Sequence, residues 1–146
     1  MTYNRQLQRT VIRRDALLIL TVLALLPRAA ESFGVGCGIH VRGLSANRDQ
    51  IFFAKHDDST VLMQLGEELL TLAVVSAESK GQLRDLGEVM HRVYVAGSTR
   101  VEATFEVTRV CSPGVRECDG IGISATFVVR TGDAVQELRG EGGSGC

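Results

Sequence analysis

The chain has 146 residues, room for one domain, with 16 Lys and Arg against 17 Asp and Glu. The basic residues crowd the start: Arg5, Arg9, Arg13, Arg14 and Arg28 face only Asp15 and Glu31 before residue 33. The remainder carries 11 basic and 15 acidic side chains, a formal −4, which argues against nucleic acid as a partner.

The N-terminal stretch reads as a leader. A basic segment precedes an apolar run from Ala16 to Leu26, and Pro27 stops it. Eleven residues are too few to cross a hydrocarbon layer of about 30 Å, but they match the apolar core of a signal peptide. Small residues follow, so residues 1–32 are expected to be cleaved, with a mature start at Phe33 or Val35. Arg13-Arg14 resembles a twin-arginine export signal, with Ile12 and Ala16 departing from it. An uncleaved membrane anchor is the alternative, and Gly34-Val35-Gly36-Cys37 offers a lipid-anchor reading at Cys37. Membrane contact is expected only through these features.

All 16 glycines lie beyond the leader, Trp is absent, and aromatics are few. Turns and short strands around an aliphatic core are therefore expected over residues 33–139. In chain order, strands are expected at Ile39–Leu44, Gln50–Lys55, Thr60–Leu65 and Leu69–Ser76. His56 to Ser59 and Gly66 to Glu68 supply turns between them. Ser79 and Gln82 have capping-box spacing, which suggests one short helix ending at Gly87. His91–Val95 returns as a strand. The clearest element is Val101–Cys111, with Val101, Ala103, Phe105 and Val107 alternating against Glu102, Thr104, Glu106 and Thr108. Ile121–Arg130 repeats that period, and Ala134–Arg139 follows after a tight connection. These signals give an all-β fold, a small antiparallel sandwich or barrel of about eight strands. Residues 140–146, GEGGSGC, read as a glycine-rich tail.

Four cysteines, Cys37, Cys111, Cys118 and Cys146, all lie beyond the leader. An even count in a small exported chain points to disulfides. The preferred pairing joins Cys111 to Cys118 across a hairpin tip and Cys37 to Cys146 near the two ends of the expected mature chain. Cys111 sits on the buried face of its strand and Cys118 on the opposite parity, so a bulge is expected at Asp119-Gly120. Zinc knuckles and a C-x₂-C redox pair are absent.

Chemistry-bearing motifs are sparse. Gly140 to Gly145 matches G-x-G-x-x-G literally, but no room for a helix follows it. The histidines, His40, His56 and His91, have no partner at ligand spacing. His56, Asp57 and Asp58 form the one weak polar cluster, on a turn. No catalytic, metal or cofactor site is expected. The expected function is that of a binding or inhibitory module, periplasmic or secreted, whose partner is an envelope protein or a small ligand. The expected contact surface is the tip, with Ser112, Pro113, Val115 and Arg116, and the turn His56-Asp57-Asp58. The architecture is similar to that of small periplasmic lysozyme inhibitors, which also combine a leader, β-structure and a C-terminal cysteine link; no family motif accompanies the likeness. A structural accessory of the envelope and a small hydrolase are the other readings.

Overall fold

The computed structural model describes residues 34, 36–77, 83–112 and 120–146. The leader, residues 78–82 of the expected helix, and residues 113–119 of the hairpin tip lie outside the described residues.

Nine strands form one antiparallel sheet: β1 (Gly38–Gly43), β2 (Gln50–Lys55), β3 (Val61–Leu65), β4 (Glu68–Thr71), β5 (Ala73–Ala77), β6 (Val89–Ala96), β7 (Thr99–Arg109), β8 (Ile121–Thr131) and β9 (Ala134–Gly145). Their order is β4-β3-β2-β1-β9-β8-β7-β6-β5. The two outermost strands, β4 and β5, are consecutive in the chain and separated only by Leu72. The sheet therefore curls back on itself as a nearly closed up-and-down barrel. β4, Leu72 and β5 act as one bent strand whose first half pairs with β3 and whose second half pairs with β6. Leu72 holds the corner: its amide donates to the Val61 carbonyl at 2.8 Å and its side chain is buried. This bend is why the single strand expected over Leu69–Ser76 is divided in two.

The period-two pattern decides what faces inward. On β7, Val101, Ala103, Phe105 and Val107 are buried, and opposite them on β8 lie Val129, Phe127, Ala125 and Ile123. Phe52 on β2 reaches the same interior. Its ring centroid is 4.9 Å from that of Phe127 and 5.6 Å from those of Phe105 and Tyr94. Phe105 and Phe127 meet edge-on at 5.8 Å, a favoured aromatic geometry. Val41, Val61 and Met63 complete a filled barrel centre.

The glycine-rich segment is not a tail. Residues 140–145 are the second half of β9, paired with β8 on one side and β1 on the other. Alternation could not reveal this strand, because glycine carries no side chain to alternate. The glycines are instead required by close backbone approach. A Cβ on Gly142 would lie 1.7 Å from the His40 carbonyl oxygen, and one on Gly140 would lie 2.4 Å from that of Arg42. Gly142→Ala is therefore expected to push β1 from β9 and destabilise the fold by about 1–3 kcal/mol, read as a lower urea midpoint. An unchanged midpoint would show that β1 and β9 are not held this closely.

Cys37 and Cys146 are bonded to each other, as the sequence suggests, beside the last β1–β9 pair, Gly38 and Gly145. Cys111 is also disulfide-bonded, and Cys118 lies outside the described residues. The Cys111 sulfur lies 2.7 Å from the Gly120 carbonyl oxygen, a contact only, since a disulfide sulfur carries no proton. Asp119, half of the bulge expected at Asp119-Gly120, lies outside the described residues. Among those described, the β7–β8 register shifts between Val107 and Arg109, where Thr108 is the extra residue. Gly120 does adopt a positive φ of 138°, which a side chain would resist.

No helix occurs among the described residues, so none there is long and apolar enough to cross a membrane. The described end of the expected helix, residues 83–88, is a turn. Glu88 closes it: its carboxylate accepts from the backbone N–H of Arg84 at 2.7 Å and of Asp85 at 3.1 Å. These two bonds hold its carboxyl below the usual range.

Candidate functional site

Up-and-down connectivity sorts the loops between the two barrel ends. One end carries the turns at 44–49, 66–67, 97–98 and 132–133. The other carries the Cys37–Cys146 bond, the 56–60 turn, residues 83–88 and the end of β7 with Ser112. The topology thus brings the His56-Asp57-Asp58 turn and Ser112 to a common end. Pro113, Val115 and Arg116 lie outside the described residues.

The 56–60 turn is built locally. The Asp58 amide donates to the Lys55 carbonyl and the Lys55 amide to the Thr60 carbonyl, both at 3.0 Å. The Asp57 carboxylate accepts the Ser59 amide at 3.0 Å, and its bonds to Ser59 lower its pKa. Asp57 is therefore occupied within the turn. Asp58 has a φ of 55°, a left-handed conformation that aspartate tolerates better than most residues. Its carboxylate forms an ion pair with Arg92 of β6, Nη1 to Oδ2 at 3.6 Å. His56 is exposed.

Beneath this turn lies a cavity of about 40 Å³ in the barrel end. Ile39, Leu83 and Met90 give it apolar walls; Lys55, His56, Asp58, Arg92 and Ser144 give it polar ones; Tyr94 also lines it. Met90, Arg92 and Tyr94 alternate along β6 and share one face. Met90 and Tyr94 are buried, so Arg92 projects inward between them, opposite Ala103. Its side chain is only 14% exposed. A small residue across the strand leaves room for the long one.

Tyr94 is 1% exposed, and its hydroxyl has no hydrogen-bond partner among the described residues. Burial raises its pKa well above the ordinary tyrosine range, and the Asp58 carboxylate adds to the rise while Arg92 opposes it. The hydroxyl thus senses both charges of the ion pair. The sign for stability follows. Below about pH 10 the phenol is neutral in folded and unfolded chains alike. Above that pH the unfolded chain ionises first, so folded stability is expected to fall as pH rises. The chain's two tyrosines are Tyr3 and Tyr94, so a Tyr3→Phe chain isolates Tyr94. Its phenolate absorbance should appear only together with unfolding. Ionisation in the ordinary range, with the fold intact, would show that Tyr94 is open to water.

Of the residues singled out in the sequence, His56 and Asp58 line this cavity. Asp57 lines a shallower surface depression with Cys37, Lys55 and His56. Sequence reasoning missed Arg92 and Tyr94. No group of three His, Cys, Asp or Glu side chains that could hold a metal ion occurs among the described residues. His40, by contrast, lies outside the buried cluster. Its ring packs on Phe53 at 4.8 Å and is held through Gly36 and Gln50.

The geometry defines a small, disulfide-stapled β-barrel with a polar-rimmed recess at one end. No protein-family model, no curated protein and no solved structure matches the chain.

Proposed function

We propose that the chain is an exported binding module of the cell envelope, acting without catalytic chemistry of its own. It binds through the barrel end that carries the Cys37–Cys146 bond and the 56–60 turn. One observation carries this reading: the barrel centre is filled, yet this end keeps a recess with an inward-facing ion pair. Surface ion pairs contribute little to stability, and inward charge is costly, so Arg92 and Asp58 are better explained by recognition than by folding. The disulfide supports export, because such bonds persist in oxidising compartments. A periplasmic or secreted setting, and an inhibitory role towards an envelope protein, are the finer parts of the proposal.

Two measurements test it. The intact mass of the exported chain should begin at Phe33 or Val35 and rise by about 4 Da on reduction. A full-length mass with free thiols would overturn export. A photo-crosslinker at Asp57, at the proposed end, should capture a specific envelope partner that one at Asp133, at the opposite end, does not. Capture only from Asp133 would overturn the choice of end.

A further inference from the structure

We propose that the cavity behind the 56–60 turn binds the carboxylate of a small apolar acid, held by the Arg92 guanidinium and the Tyr94 hydroxyl. This rests on the reading of that barrel end as a binding surface and names the chemistry it takes.

Two polar groups in the cavity lack the partners their burial calls for. The Tyr94 hydroxyl is buried and accepts or donates no hydrogen bond among the described residues. Buried hydroxyls in native proteins are nearly always satisfied, so one without a protein partner implies an occupant of the adjoining space. The Arg92 guanidinium is the second group. Its one polar contact among the described residues is with Asp58 at 3.6 Å, beyond hydrogen-bond length. A guanidinium presents a planar fork of donors that matches the two oxygens of a carboxylate.

Lys55 lies at the exposed rim beside Asp57, so the inward charges are Arg92 and Asp58. An anion would be held by the Arg92 donors that Asp58, at 3.6 Å, leaves unbonded. The space selects its size. At about 40 Å³ it is more than one water needs and admits a small head group. The rest of the ligand lies along Ile39, Leu83 and Met90 toward the mouth, which makes that part apolar. A short aliphatic or aryl monocarboxylate meets these conditions.

The probe is butyrate, with butyramide as its uncharged counterpart, at matched ionic strength. The readout is methyl NMR of the full oxidised chain. Its three methionines include Met90 in the cavity wall and Met63 in the barrel centre, which serves as the internal reference. Butyrate should move the Met90 methyl signal saturably and leave Met63 in place, and butyramide should bind at least about tenfold more weakly. Arg92→Gln and Tyr94→Phe should each weaken butyrate by about tenfold or more. Tyr94→Phe should also leave the ligand-free melting temperature unchanged or higher, because the hydroxyl it removes has no protein partner.

Several results overturn the proposal. One is a linear, unsaturated Met90 response up to about 100 mM. Another is equal binding of butyrate and butyramide. A third is a lower melting temperature for ligand-free Tyr94→Phe with undiminished butyrate binding, which would assign the space to ordered water. If the carboxylate fails while the Asp57 crosslinker still captures a partner, the ligand class is wrong and the binding end stands. If both fail, the binding reading falls with it.

Discussion

Phe52→Ala is expected to cost about 3–5 kcal/mol of unfolding free energy, the largest loss from any single truncation of this barrel. Phe52 has no exposed surface and meets three other rings, from β6, β7 and β8. It is the side chain through which β2 touches the opposite wall. Truncation removes its transfer free energy and leaves a void. That void cannot collapse, because the walls around it are hydrogen-bonded strands whose spacing is fixed. Denaturation in urea should show a lower midpoint with an unchanged slope. Phe52→Leu refills most of the space and should recover more than half of the loss, which separates packing from a global folding failure. A loss below about 1 kcal/mol for the alanine variant would show that the ring cluster does not hold the barrel together.

Replacing both Cys37 and Cys146 by serine is expected to cost about 2–5 kcal/mol, by a different route. The bond spans 109 residues, and the chain-entropy model gives about 4.7 kcal/mol for a loop near that length. Little of this arises in the folded state. β1 and β9 are also held by their own pairing from Gly38–Gly145 to Gly43–Gly140. The bond acts chiefly by restricting the unfolded chain. Native-state hydrogen exchange should therefore rise at the end of β9, next to Cys146, and fall away along the strand. A global stability loss under about 1 kcal/mol would mean that the unfolded oxidised chain is no more restricted than the reduced one.

The strands that carry ordinary side chains were legible in the sequence. The Val101–Val107 and Ile121–Val129 alternations gave both the elements and their inward faces, because one face of each is buried and the other is wet. Strand β9 was legible only to Arg139, since beyond it the fold needs the absence of side chains rather than their pattern. The need for an odd residue in the β7–β8 hairpin was legible, but the register shift at Thr108, before Cys111, was not.

The Arg92–Tyr94 pair occupies a middle position. Taken alone, Met90-His91-Arg92-Val93-Tyr94-Val95 gives no clear alternation, because each face mixes apolar and polar residues. The neighbouring hairpin resolves it. Gly97-Ser98 makes a two-residue connection, which pairs Ala96 with Thr99, then Tyr94 with Val101 and Arg92 with Ala103. Since Val101 and Ala103 face inward, so must Tyr94 and Arg92. That register was available from the sequence. The meeting of Arg92 with Asp58 was not, because it joins β6 to the β2–β3 turn across the bent β4–β5 strand, where no hairpin register fixes it.

The ring of pairings also dictates how the chain reaches its native state. Every neighbouring pair in the sheet joins consecutive strands except β1 and β9. Hairpins of consecutive strands are short-range and nucleate fast, whereas a pairing between residues as distant as Gly38 and Gly145 must wait on loop closure. The barrel thus assembles as an open meander with one slow zippering event at its end. Oxidation of Cys37 and Cys146 converts that event from a search into a local rearrangement, so the oxidised chain is expected to refold faster than the reduced one. On that expectation the cysteines act on the folding rate of the barrel as well as on its stability.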